Sequence, residues 1–267
     1  MSLVHSEMGT SMKLVTFNIR CDCGVDQENN FEFRKPIILK KLVDEQPDII
    51  CFQEVMSHVA DWLNHTLTEY IVVGCGRDAN LEGEQVSIAF KKEVFSLLSL
   101  HHFWHSTTPT IPGSVFENQS VFPRLCTDCV LMDRQSKQVI RVVNTHLDHM
   151  NSEVRSQELK LIMNKISEKT MYQEEITYFM GDLNAEPDSE EMKIMSTFND
   201  FKCLTTNIGL TYHGYFKDNA ISLEHDTPQI DYIYVRGHVT LESVEKWQDC
   251  IEGVYLSDHY PIMAIVK

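Results

Sequence analysis

The chain is a succession of short apolar runs, most of them closed by a polar residue. KLVTFNI predicts a first strand, ending at Asn18. An acidic, Asn-rich loop leads into RKPIILKKLVDEQ, where apolar residues at 38, 39, 42 and 43 give the buried stripe of a helix and Pro36 suits its first turn. DIICFQEV predicts a second strand, with Glu54 at its end. SHVADWLNHTL predicts a helix with Val59, Trp62, Leu63 and Leu67 on one face. Strands are expected around 70–73, 86–90 and 94–103, followed by an irregular stretch, HSTTPTIPGSVFENQSVFPR. Strands resume at 126–132 and 139–145, joined as a hairpin by the polar turn DRQSKQ. SEVRSQELKLIMNKISEK, from about 152 to 169, reads as a helix with Ser152 as its N-cap. ITYFM, rich in β-branched and aromatic side chains, reads as a buried strand running into GDLNAEP. A helix near 188–197 and strands at 230–235, 239–247 and 260–266 complete the pattern.

Strands that arrive both singly with helices and as hairpins argue for mixed sheets. Two sheets packed face to face with helices outside suit the length of 267 residues. No Pro/Gly/Ser-rich linker or repeat divides the chain, so residues 12–267 are expected to form a single α/β (α+β type) domain. Residues 1–11, MSLVHSEMGTS, are polar and read as a disordered leader or an expression remnant. They lack the basic flank and apolar core of a secretion signal, and no run is long enough to span a membrane. A cytoplasmic protein is expected, without membrane insertion and with no obligate protein partner.

Composition narrows the partners. Asp and Glu total 39 against 23 Lys and Arg, a net charge of −16, which repels long polyanions unless metal ions or a local basic patch intervene. Of the eight cysteines, Cys51, Cys75 and Cys129 lie inside apolar segments, where free thiols act as small hydrophobes. Cys126 and Cys129 have zinc-pair spacing, but in a strand a separation of three puts them on opposite faces.

The candidate chemistry stands at the strand ends: Asn18 in TFNIR, Glu54 in FQEV, His146 in NTHLDH, Asp182 and Asn184 in GDLN, Asp231 in QIDYI, and Asp258 with His259 in LSDHYP. Any one of these reads equally as a turn, a cap or a satisfied strand-end group; an isolated G-D-x-N favours an Asx turn. As an ordered series from Asn18 to His259 they resemble the endonuclease/exonuclease/phosphatase superfamily, which includes deoxyribonuclease I, exonuclease III, deadenylases, neutral sphingomyelinases and inositol polyphosphate 5-phosphatases. The resemblance implies a deoxyribonuclease I-like, four-layered sandwich of two mixed β-sheets flanked by helices. NTHLDHM followed by EVRSQELK, with FWHSTTPTIPGS, FPRLCT and TYHGY, is similar to a bacterial group described as metal-dependent hydrolases or phosphatases, whose substrate the resemblance does not supply.

What the resemblance implies is a metal-dependent phosphoric ester hydrolase using Mg²⁺ or Mn²⁺. Glu54 is the expected hard-oxygen ligand, with Asn18 beside it and Asp258 adding to the site. Asp182 is the expected general base or water-orienting group, and Asn184 would hold the water or a phosphate oxygen. His259 would face the scissile phosphate, oriented by Asp231, and His146 would hydrogen-bond a phosphate oxygen. Arg124, His149 and His213 are candidates for substrate binding, Arg124 either for a terminal phosphate or for a surface salt bridge. Arg155 is expected to pair with Glu158 or Glu191. Trp104 and the loop Pro109–Gly113 are either pocket wall or core.

The expected substrate is a small phosphorylated molecule. A nuclease acting on DNA or RNA ends is the alternative, although His146 stands where exonuclease III-like repair enzymes carry tyrosine. A non-catalytic module on the same scaffold would be expected to lack Glu54, Asp182 or His259, and all three are present. Sphingomyelinase or toxin roles imply export, for which no signal is visible.

Overall fold

Alternation along the first strand decides which residues meet. In β1 (Met12–Asn18), Leu14 faces the space between two sheets, while Val15 and Phe17 face the opposite way. With a period of two, Thr16 and Asn18 fall on the inner face with Leu14. The computed structural model describes residues 11–168, 170–216 and 229–267. After β1 come α1 (Phe31–Glu45), β2 (Ile49–Val55), α2 (Ser57–Thr66), β3 (Tyr70–Val73), β4 (Gln85–Lys91) and β5 (Phe95–Trp104). The irregular segment 105–124 is followed by β6 (Leu125–Asp133), β7 (Val139–His146), α3 (Ser152–Ser167), β8 (Ile176–Asp182), α4 (Met192–Met195) and β9 (Phe201–Cys203). The chain then forms β10 (Asp231–Arg236), β11 (Leu241–Lys246), a ribbon of β12 (Cys250–Ile251) and β13 (Val254–Tyr255), and β14 (Ile262–Val266).

One six-stranded sheet has the order β11-β14-β1-β2-β4-β3 and the other β5-β6-β7-β8-β10-β9. Each is antiparallel except for one pair, β1 with β2 and β7 with β8, and each parallel pair is connected through a helix, α1 or α3. The inner faces pack Leu14, Ile49, Ile88, Leu131, Val142, Tyr178 and Ile233 into the central core. Phe31, Ile38 and Leu42 of α1 and Val59 and Leu63 of α2 cover the outer face of the first sheet. Leu159, Ile162, Met163 and Ile166 of α3 cover the second. The result is the expected four-layered sandwich of two mixed sheets flanked by helices.

Parallel pairing matters for the site because the two strands of a pair end at the same edge. Asn18 lies opposite Gln53, next to Glu54, and His146 lies opposite Asp182. Antiparallel β10 begins at that same edge, with Asp231 opposite Asp182. The sheets are pinned just behind it: Gln53 Nε2 donates to Asn144 Oδ1 at 2.8 Å, and Asn144 Nδ2 donates to the Phe52 and Ser87 carbonyls at 2.8 and 2.9 Å.

Several boundaries differ from the sequence expectation. α1 starts at Phe31 because Asn30 accepts a hydrogen bond from Glu32 N, so Pro36 lies inside the helix rather than in its first turn. The N-cap of α3 is Asn151, whose side chain accepts from Glu153 N and Val154 N, while Ser152 donates to Glu191. The helix near 188–197 contracts to the four residues of α4, and β9 and the small ribbon are too short to leave a periodic signal. All eight cysteines are free; Cys126 packs outside the second sheet and Cys129 between the sheets. Residues 1–10, the bulk of the expected leader, and Lys169 lie outside the described residues. Among the described residues no helix is long and apolar enough to cross a membrane.

Candidate active site

One buried amide gathers the strand ends. Asn18 Nδ2 donates to Glu54 Oε1 at 2.9 Å and to Asp182 Oδ2 at 3.0 Å, and lies 3.4 Å from His259 Nε2. It thereby links β1 of one sheet to β8 of the other. Glu54 has a left-handed φ of 61° at a register shift between β2 and β4, and the irregularity turns its carboxylate so that Oε2 accepts from Cys21 N at 2.7 Å. Asp182 follows Gly181, whose φ is +149° and where an added Cβ would sit 2.0 Å from the Thr145 carbonyl oxygen. Only glycine allows β7 and β8 to approach there.

Asp182 makes the Asx turn that its motif suggested and also faces two histidines. Its Oδ1 accepts from Asn184 N at 2.9 Å, the Asx turn, and its Oδ2 lies 3.4 Å from His146 Nε2 and 3.7 Å from His259 Nε2. On the far side of the imidazole, His259 Nδ1 donates to Asp231 Oδ2 at 2.9 Å. Burial and the neighbouring Asp231 push the Asp182 carboxyl up to about 7. Burial opposes the His259 charge, but Asp231, Asp182 and Asp258 outweigh it and raise the imidazole to about 10. His146 goes the other way: burial, Arg124, His259 and Arg77 hold it well below the usual histidine range, so it is neutral. Asp258 is raised by burial and by Glu54, and lies 3.5 Å from Arg20 Nε.

These residues fit a hard divalent cation. Glu54, Asp182, Asp231 and Asp258 crowd around one another with Arg20 and His259 as the cations among them, a surplus of buried negative charge that such an ion offsets. Among the described residues, ligand-type atoms of Asp182, Asp231 and His259 all lie within 4.8 Å of one another. There the imidazole Nδ1 and the Asp231 oxygen already satisfy each other. Each Glu54 oxygen accepts a single hydrogen bond and keeps lone pairs for a ligand.

The group opens into a cleft of about 340 Å³ lined by Glu54, His146, Asp182, Asn184, Asp258 and His259, together with Arg124 and His149. A model of the Endonuclease/Exonuclease/phosphatase family matches residues 15–259. The chain belongs to that family. It is similar to the endonuclease/exonuclease/phosphatase from Bacteroides vulgatus, with 29% identity, TM-score 0.87, and 97% of this chain and 99% of that chain covered. The mannosyl-6-phosphatase of Bacteroides thetaiotaomicron shares the fold at 20% identity and TM-score 0.84, covering 96% and 99% of the two chains. So does D. rerio TDP2, complexed with single strand DNA product, at 18% identity and TM-score 0.75, covering 97% and 99%. No curated protein sequence matches the chain.

Within this family member the fold places some candidates away from the cleft. His213 is fully buried, with its ring centroid 4.2 Å from that of Tyr260 and 4.8 Å from that of Tyr255. The antiparallel bridge between Tyr212 and His259 explains this, because alternation sends Tyr212 to the cleft and its neighbour His213 to the opposite side. Arg155 pairs with Glu191 at 2.7 Å and Trp104 donates to the Arg77 carbonyl, so both act behind the wall. Asn184 lines the cleft, but its φ of 47° breaks the strand alternation, and its Nδ2 donates to the Leu147 carbonyl at 3.0 Å. Sequence reading missed Arg20, Arg77, Glu84, Phe122 and Tyr212, all of which line the cleft. All five lie outside the helices and strands, and the only available signal was their charge or aromaticity beside a strand end.

Proposed function

We propose that this hydrolase is a divalent-metal-dependent phosphoesterase acting on a small phosphorylated substrate. The observation that carries the reading is the convergence of Glu54, Asp182, His146 and the His259–Asp231 pair around the single amide of Asn18. The small-molecule preference draws on the likeness to a mannosyl-6-phosphatase and on the net charge of −16.

Glu54, with Asn18 and Asp258, would hold Mg²⁺ or Mn²⁺. When bound, that ion supplies charge neutralisation on the phosphoryl oxygens and makes a water molecule more acidic. Asp182 accepts the proton of the attacking water through Oδ2, the oxygen that Asn18, His146 and His259 surround. The water oxygen forms the new P–O bond while the ester P–O bond breaks with its electron pair on the leaving oxygen. That oxygen takes a proton from solvent at the cleft mouth, and Asp182 returns its own proton to solvent. His259, held by Asp231 and charged, faces the oxygens on which negative charge grows; neutral His146 offers them a hydrogen bond. Asn184, at the Asx turn, keeps the Asp182 carboxylate in place.

Metal removal tests the reading. Protein stripped with a chelator should lose hydrolysis of a phosphate ester panel and regain it with added Mg²⁺ or Mn²⁺. Full activity after verified metal removal would reject the metal assignment.

A further inference from the structure

Two guanidinium groups at one end of the cleft are unused by the chemistry above. Arg77 and Arg124 are 6% and 4% exposed, and the Nε of each has no hydrogen-bond partner. Arg77 is matched by one carboxylate, Glu84, in a two-pronged pair at 2.8 and 3.0 Å. Arg124 has no ion-pair partner among the described residues; its terminal nitrogen donates to Nδ1 of His149 at 3.2 Å, which must therefore be the unprotonated nitrogen. A buried cation is costly unless it is paired; Glu84 is set against both guanidinium groups, which leaves a second negative charge to be supplied by a ligand.

The shape of the cleft says which anion. Beside the two arginines lies a niche of about 10 Å³, lined also by Glu54, Glu84, His146, Val86, Pro123 and Leu125, with room for about one water molecule. Phe122, whose ring centroid lies 4.4 Å from the Arg77 guanidinium, and His149, bonded to Arg124, lead from the cleft into an open lobe lined by Val121 and Met150. The two arginines thus stand between a niche of one water's volume, which two carboxylates share, and an open lobe that is largely apolar. An unsubstituted phosphoryl oxygen fits against the arginines, and beyond them there is no volume for a further substituent.

We infer that Arg77 and Arg124 bind the unsubstituted oxygens of a terminal phosphate, so that the protein hydrolyses phosphomonoesters in preference to phosphodiesters. This deepens the phosphoesterase reading and rests on it. A monoester presents a dianion to two guanidinium forks, a geometry suited to charge-assisted bonding. A diester presents one charge and pushes its second carbon substituent against a niche the size of a water molecule.

The test compares phenyl phosphate with methyl phenyl phosphate, which share a leaving group, in wild type, Arg124→Gln and Arg124→Lys with Mn²⁺. Wild type should prefer the monoester. Arg124→Gln should cost the monoester about 10- to 100-fold more in kcat/KM than the diester, the loss expected for hydrogen bonds to a charged group, with partial recovery in Arg124→Lys. Equal losses on both esters, or a wild-type preference for the diester, would overturn the inference. Calorimetry with phenylphosphonate and its methyl half-ester gives a second reading that needs no turnover. Tighter binding of the dianion, lost in Arg124→Gln, would uphold the subsite even if neither ester were hydrolysed and the phosphoesterase reading fell. Metal-dependent hydrolysis indifferent to Arg124 would remove the subsite and leave that reading standing. Melting temperatures of both variants exclude misfolding as the cause.

Discussion

His259 has one nitrogen committed to Asp231 and one facing Asp182, so its charge is held in place by carboxylates on two strand ends. Removing the ring should remove a positioned charge rather than core packing. His259→Ala and Asp182→Asn are each expected to lower kcat/KM by about a hundredfold or more with little change in melting temperature. Near-wild-type turnover in either variant would reject the role given to that residue. Asp231 acts through the imidazole, so Asp231→Asn should cost activity in wild type but almost nothing in a His259→Ala background. Glu54 differs in kind: both of its oxygens are aimed by donors from β1 and the following loop, and its expected work is ligation. Glu54→Gln should raise the Mg²⁺ concentration needed for half-maximal activity more than it moves the pH profile, which a metal titration at several pH values would read.

At the scale of elements, the site depends on loops held by buried polar hubs. Asp148, fully buried after β7, accepts from Met150 N and Asn151 N through one oxygen and from Ser120 N through the other. It thereby ties the His149 loop to the segment leading to Phe122 and Arg124. Although burial opposes ionisation, these donors hold its carboxyl below the ordinary 3.8. With the folded value depressed, the stability contributed is present above the unfolded value and is lost as pH falls through the folded one. Asp148→Asn turns an amide towards an N–H donor and should cost about 1–3 kcal/mol at neutral pH. The gap in melting temperature from wild type should close below about pH 4; a constant gap across acid pH would remove Asp148 as the cause. Hubs of this kind leave little trace in sequence. Asn18, Glu54, His146, Asp182, Asp231 and His259 were legible because each interrupts an apolar run, and parallel or antiparallel register then brings such interruptions to one edge. Arg77 and Glu84 lie between β3 and β4 and Phe122 in the irregular segment, where no period constrains direction. His213 was expected in place of Tyr212 because a one-residue parity cannot be fixed without knowing that Tyr212 bridges His259.

For the whole molecule, charge and cleft shape act on substrates of different length in opposite ways. The net charge of −16 is spread over the surface, since setting aside Glu54, Asp182, Asp231 and Asp258 leaves the acidic excess largely intact. The cations facing the cleft, among them Arg20, Arg77 and Arg124, are confined to a volume of about 340 Å³. A small phosphate ester meets that local field, whereas an oligonucleotide must also carry its remaining phosphates across an acidic exterior. The segment 105–124 narrows the entrance with Phe122, and Tyr212 does so from the facing loop, of which residues 217–228 lie outside the described structure. Relatives of the fold include one that holds a single strand DNA product, so the fold alone does not decide between the substrate classes. Ionic strength does. A nuclease with a basic groove loses affinity as salt rises, because its binding releases counterions. Here the long-range term is repulsive, and screening over a distance of about 10 Å at 0.1 M salt should relieve it. Compact phosphate esters should therefore have the higher kcat/KM at low salt and fixed Mg²⁺, and any activity on a short single strand should rise, not fall, as KCl is added. A strand preferred at low salt, with activity falling as salt increases, would instead establish an oligonucleotide substrate and a basic track outside the cleft.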